Sequence, residues 1–351
     1  MFEKIKSIEN VKKVCSNNRT AFYLTRDNKI YQDDALIFQG YDNSDIRICK
    51  NDFYAFGDSI FSYLGDFSSN TVVKIDFVFS SECIWRNGAI VNENYRYDTS
   101  DGKIKADYYI LNFDTKEKQI LFKNLQGAIS CLFNDNKNAI YSFKTTLKSL
   151  SLLTGEYEWE VDLGEYCQFL HDGEVKQGNI NHIIGVFEDT LWLMCSYRRL
   201  MGLCVKTGKI LGNVWLGDLR EELQNLVILN PPIVNEATKE FVFCTYKYFF
   251  TIDVKTLFIN VFHQIVFEHR ADQIETQIIH DGLVYFTGKH FLPNDQTESQ
   301  VGVYSPTENK ILWVYSLGNT IVNQPPQASD NKLYVLDTEG VLCIFERDEV
   351  A

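Results

Sequence analysis

Two stretches decide the fold. Ala139–Gly164 reads AIYSFKTTLKSLSLLTGEYEWEVDLG, and Thr190–Gly217 reads TLWLMCSYRRLMGLCVKTGKILGNVWLG. Each is an apolar run, a turn, a second apolar run, a turn holding Thr-Gly, and a third run ending in Gly. Short runs rich in β-branched and aromatic residues, bounded by turn residues, are the pattern of strands. A third copy spans Leu283–Gly318 with a longer middle turn, and looser copies begin at Ala89 and Glu240. Short copies begin at Ala21 and Phe53, and the last begins at Lys332 and stops before its third run. The mean spacing of these starts is about 44 residues, the size of a four-stranded propeller blade.

Each copy follows a further short apolar stretch, such as NHIIGVF before Thr190 and ETQIIH before Leu283. That stretch supplies an innermost strand. The expectation is an all-β chain forming a single β-propeller domain over residues 1–351, with eight four-stranded blades. Seven is the alternative, because the two short copies could form one distorted blade. A β-sandwich also spaces its strands regularly, but it would not repeat one turn signature four or five times. The final copy lacks an outer strand, and FEKIKSIE at residues 2–9 alternates like one. Pairing the two would close the ring and remove both free edges.

The third turns carry a resemblance: LLTGEYEW (Leu152–Trp159), VKTGKIL (Val205–Leu211) and SPTENKILW (Ser305–Trp313). They resemble the repeat of the quinoprotein-like (PQQ-repeat) β-propellers. The resemblance implies that Thr154 and Gly155 form a tight turn and that Trp159 packs between neighbouring blades. Only that copy matches fully. Gly212 stands where a Trp would be expected, and Trp313 comes one residue late. The resemblance implies a fold and no activity. The PQQ-dependent dehydrogenases use an adjacent cysteine pair and are exported. Neither an adjacent cysteine pair nor an export signal is present in this sequence, so no cofactor is expected.

Composition bounds the function. Hydrophobic residues make up 45% of the chain, with 25 Phe and 19 Tyr, enough for a large core. Only six prolines occur, and no Ser/Gly/Pro-rich linker separates domains. A formal charge of −13 disfavours nucleic acid and anionic membranes and suits a basic partner, although solubility alone accounts for many acidic proteins. Neither a signal peptide nor a membrane span is legible, so a cytoplasmic location is expected. The nine cysteines are scattered without a CxxC pair, and read as buried free thiols.

Motifs for chemistry are missing. The six histidines form no HxH or HExxH, and neither GxSxG nor a phosphate loop occurs. No metal site is expected. His182 and His280 lie in inner-strand stretches and could converge on a central channel, although a satisfied core histidine is the commoner case. Asp218–Leu226 (DLREELQNL) has helical spacing, with Asp218 as N-cap and Leu219, Leu223 and Leu226 on one stripe.

One pattern stands out in the turns between second and third strands. Lys144, Arg198, Arg199, Lys247, Lys289 and His290 are read there, interleaved with Tyr197, Tyr246 and Tyr248. Charge with tyrosine suits recognition. The bland reading is that exposed turns are usually charged, and other copies carry Asp58, Asp98, Asp101 and Asp337 instead. The expected function is a non-enzymatic interaction protein presenting this face to a protein partner, with a basic protein or a toxin that it neutralises as an immunity-type protein as the narrower expectation. The competing expectation is a hydrolase or lyase with carboxylates and His182 or His280 in a central funnel.

Overall fold

The computed structural model describes all residues other than 1, 17–19, 40–44, 50, 51, 58, 59, 64–70, 75–79, 86, 87, 99–102, 113, 116, 134–136, 172, 197, 225–230, 268–271, 293–295, 323 and 349–351. Among the described residues the strands form eight four-stranded antiparallel sheets and one two-stranded hairpin. The second strands of the eight sheets begin at residues 21, 52, 88, 138, 190, 240, 283 and 332, within one residue of the repeat starts. The short copies at Ala21 and Phe53 are separate blades, so the seven-blade alternative falls.

Seven blades use four consecutive strands. The eighth runs Gln327–Ser329, Lys332–Leu336, Leu342–Arg347 and then Phe2–Ile8 as its outermost strand. The pairing is antiparallel from Phe2 opposite Arg347 to Ile8 opposite Leu342, with a bulge between Lys4 and Lys6. Most of this strand is exposed, while Phe2 is buried against Tyr285 and Trp313, with ring centroids 5.9 and 5.3 Å away. A latch from blade 1 adds to it. Asp34 accepts a hydrogen bond from Tyr23 and an ion pair from Lys6, while Asp33 accepts from Tyr334.

By contact the chain forms two compact units, residues 1–72 with 227–351, and residues 73–226. The first holds blades 1, 6, 7 and 8 and most of blade 2, and the second holds blades 3 to 5. Inside each unit, adjoining blades share apolar cores. Ile140, Leu147 and Trp159 of blade 4 pack with Leu191, Leu193 and Met201 of blade 5. Val242 and Phe249 of blade 6 pack with Val284 and Phe286 of blade 7.

The strand patterns follow from this stacking. A middle strand meets a blade on each face: Ala21 and Tyr23 pack on blade 8 and Phe22 and Leu24 on Ile46 of blade 2, so Ala21–Leu24 is buried continuously and reads as an unbroken apolar run. An outermost strand has water beside it, so Tyr157–Asp162 alternates and only Trp159 is buried.

The third turns of blades 4 to 7 obey one rule. Each is a four-residue loop whose last residue is left-handed: Gly155 (φ 73°), Gly208 (φ 70°), Leu257 (φ 58°) and Asn309 (φ 50°). The first three donate their N–H to the carbonyl four residues back, at 2.8–2.9 Å. The threonine is explained by its hydroxyl, which accepts the N–H two residues on. Thr115, Thr154, Thr207 and Thr256 all do this, at 3.3–3.5 Å.

This rule corrects the Trp register. Counted from the left-handed residue, Trp159 and Trp313 are both four residues on, opposite Ser149 and Val303. Trp313 is therefore in register. The apparent delay came from aligning Thr307, which sits one place earlier in its turn than Thr154.

Trp159 does lie between blades. Its indole N–H donates to the Val205 carbonyl of blade 5 at 2.8 Å, and a Cβ on Gly208 would come within 2.7 Å of its ring. Trp313 likewise meets Phe345 of blade 8, with centroids 5.2 Å apart. At Gly212 no Trp is needed. Gly212 pairs with Gly202, over which the Trp192 ring of the same blade lies, 2.7 Å from where a Cβ would sit.

Candidate partner-binding face

The turns between second and third strands in blades 4 and 6 are tight and tied to the following blade. In the second unit, Lys144 is exposed and left-handed (φ 53°), and its carbonyl accepts from the Ile180 N–H of the next inner strand at 2.8 Å. In the first unit, Tyr246 (φ 58°) exchanges two backbone hydrogen bonds with Ile274, at 3.1 and 2.8 Å. Its side chain is nevertheless 41% exposed, and the Lys247 ammonium lies 5.9 Å from its ring. An aromatic with fixed backbone and exposed ring costs little entropy to bind. Tyr248 begins the strand that follows and packs on Phe262, with centroids 5.5 Å apart.

Other expected contributors are committed elsewhere. The Arg198 guanidinium donates to the carbonyls of Leu223 and Gln224 and so holds the connection that leaves blade 5. Arg199 donates to Asn213 Oδ1 at 2.8 Å. Tyr197 lies outside the described residues.

Lys289 and His290 require a correction. They belong to the strand Leu283–Phe291 and not to a turn. The second, third and fourth strands of blade 7 are nine residues long, which moves the hairpin to 292–296. Lys289 pairs with Glu275 at 2.6 Å, and His290 Nδ1 donates to the buried Asp272 carboxylate at 3.1 Å. The acidic counterparts Asp58 and Asp101 lie outside the described residues, as does the Asp98 side chain. Asp337 turns inward and accepts from the Glu339 and Val341 N–H groups.

The expected helix at Asp218–Leu226 is broken. A single turn spans Leu216–Leu219, Arg220 is extended (φ −156°, ψ 142°), and a 3-10 turn spans Glu221–Leu223. Asp218 lies inside the first turn, two residues past its start, so it is not the N-cap. Leu223 is buried, and Leu226 lies outside the described residues.

The two inner-strand histidines belong to different units. His280 is buried, and its Nε2 donates to the Asp330 carbonyl at 3.1 Å, a bond between blades. His182 is half-buried, and desolvation holds its imidazole below the ordinary pKa. His269 lies outside the described residues. No cluster of three or more metal-ligating side chains occurs among the described residues.

Two features escaped the sequence. Gly164–Cys167 makes a short helical turn and Gln168–Gln177 a two-stranded hairpin, inserted between blades 4 and 5 with Val175 68% exposed. The HDG turn in QFLHDGEVKQ was the available signal. The second feature is a cavity of about 530 Å³ between blade 7 and the connection that leads into it, with Phe267, Asp272, His290 and Gln300 in its wall.

No protein-family model matches the chain, and no curated protein matches it. Solved structures do. The C-terminal WD40 domain of Sif2 superposes with a TM-score of 0.63 at 10% identity, covering 99% of each chain. The computationally designed Ika8 protein superposes with a TM-score of 0.56 at 12% identity, covering 97% of this chain and 96% of that one. The fold is a β-propeller. At such identities the likeness carries the fold and nothing about activity. No helix among the described residues is long and apolar enough to cross a membrane.

Proposed function

We propose that the chain is one propeller domain, residues 1–351, acting in the cytoplasm as a non-enzymatic interaction module. It binds a protein partner through the turns between second and third strands. The observation that carries this reading is Tyr246, exposed on a backbone pinned by two hydrogen bonds to the next blade, with Lys247 beside it. Rigid blades with outward aromatic and charged turns provide a preorganised surface that needs no chemistry. The quinoprotein-like resemblance belongs to the same reading and is supported by Trp159 bridging to Val205. The narrower form, neutralisation of a basic toxin, draws on the net charge of −13.

The test is the affinity of a partner cross-linked and purified from the native host. A Tyr246→Ala, Lys247→Glu double variant should weaken it at least about tenfold, whereas Lys255→Glu in the third turn of the same blade should not. Equal affinity for all three proteins would refute the face. Co-expression with products of neighbouring genes checks the narrower form, since growth rescued by this chain identifies a toxin.

A further inference from the structure

The cavity beside blade 7 has walls of two kinds, and neither includes Tyr246 or Lys247 of the binding face. Phe267, on the connection into the blade, and Ile311 and Val314, on its outermost strand, make an apolar wall. Val266 is 82% exposed and Val314 43%, so this wall opens to the surface. Asp272, His290 and Gln300 make the polar wall. A volume of about 530 Å³ falls within the range of small-molecule sites.

The Asp272 side chain is only 5% exposed. Burying a carboxylate is costly unless donors surround it. Among the described residues two donors reach it. His290 Nδ1 donates at 3.1 Å to both oxygens, and the Phe291 N–H donates to Oδ1 at 3.2 Å. A carboxylate has about four acceptor sites, so Asp272 keeps acceptor capacity in the cavity wall.

Gln300 adds a second acceptor. It is buried, and its Nε2 donates to the Lys289 carbonyl at 3.1 Å, which leaves Oε1 as the group it offers the cavity. Two donors in the same lining are committed elsewhere. The Lys310 ammonium pairs with Glu308 at 2.6 Å, and the Ser316 hydroxyl donates to Glu298 at 2.7 Å.

We propose that this cavity binds a small organic cation, with an ammonium or amidinium head on an apolar body. The head sets its N–H donors against the Asp272 carboxylate and Gln300 Oε1, and the body lies against Phe267 and Val314. Charged N–H donors meet a carboxylate in the stronger class of hydrogen bond. An inorganic cation would leave the apolar wall unused, and an anion would meet Asp272 as a like charge. The formal charge of −13 raises the concentration of cations near the molecule, and the buried carboxylate selects where one is held.

The test titrates the full chain with benzamidine, an amidinium on a phenyl ring, by isothermal calorimetry. Benzamide, its uncharged isostere, and benzoate, its anionic counterpart, are the controls. The expected result is one site with a dissociation constant of about 1 mM or tighter, and at least about tenfold weaker binding of both controls. Asp272→Asn keeps an acceptor for the Phe291 N–H but removes the charge, so it should weaken benzamidine at least about tenfold and leave benzamide unchanged. Asp189→Asn, the same change at an exposed carboxylate of blade 5, should alter nothing. Val314→Trp fills the open side of the apolar wall from a half-exposed position and should abolish binding, which decides the matter even if Asp272→Asn fails to fold. Benzamidine that does not bind, or binds no tighter than benzamide, would overturn the proposal. So would an equal loss in Asp189→Asn, or full affinity in Val314→Trp.

Discussion

At the residue scale, Trp159 and Gly208 show how one blade specifies the next. The indole fills the interface and satisfies the Val205 carbonyl, and Gly208 is left-handed with the ring against its missing side chain. Trp159→Phe keeps most of the apolar contact but orphans a buried carbonyl, a loss of about 1–3 kcal/mol. Gly208→Ala meets both the left-handed penalty and the ring, so it should cost more than about 1 kcal/mol. Chemical denaturation of the two variants measures both losses. The Thr-Gly turn was readable because its residues are dictated locally, by a hydroxyl that caps an N–H and a backbone that turns left-handed. Arg198 was readable only as an exposed cation, because its acceptors at Leu223 and Gln224 are remote in sequence.

Among the elements, the strand Phe2–Ile8 carries the sharpest expectation. It supplies the only fourth strand of blade 8, and Phe2 fills a site between Tyr285 and Trp313. Deleting residues 2–9 exposes the edge at Leu342–Arg347 and empties that site, so melting should fall far more than for an ordinary tail. Phe2→Ala alone should cost about 3 kcal/mol. A neutral effect of the deletion on melting would contradict the closure. The alternation of FEKIKSIE announced a strand, but its partner was inferred from what the last copy lacked. In blade 7, by contrast, strand length was misjudged. Gly288, Lys289 and His290 interrupt the apolar run, and pairing with the first and third strands keeps them in the sheet.

For the whole molecule, pH separates two kinds of group. Burial holds the His182 imidazole below its ordinary value, so near pH 6 the unfolded chain binds more protons than the folded one. Stability therefore rises with pH across this window and is lost as pH falls below about 6.5. Melting between pH 7 and 5 should show this fall, and His182→Gln should flatten it. Asp253 acts lower. Its carboxylate is held down mainly by hydrogen bonds from Thr256, so that contribution is lost only as the carboxylate protonates. The formal charge of −13 adds self-repulsion, which salt should relieve.

By itself the sequence determined the repeat and the strand that completes the last blade, while the choice of eight blades over seven waited for the strand pairing. Those follow from local apolar runs, local turn chemistry and one missing element. Tertiary structure decided which charges face outward. Lys289, His290 and Arg198 find their acceptors on other strands and connections, at separations no local pattern encodes. It also decided that Cys167 and Cys195, 28 residues apart in a scattered set of nine, share one core. The physical reason is the same in both cases: the partner of a side chain is set by how blades stack, and stacking is not periodic in sequence.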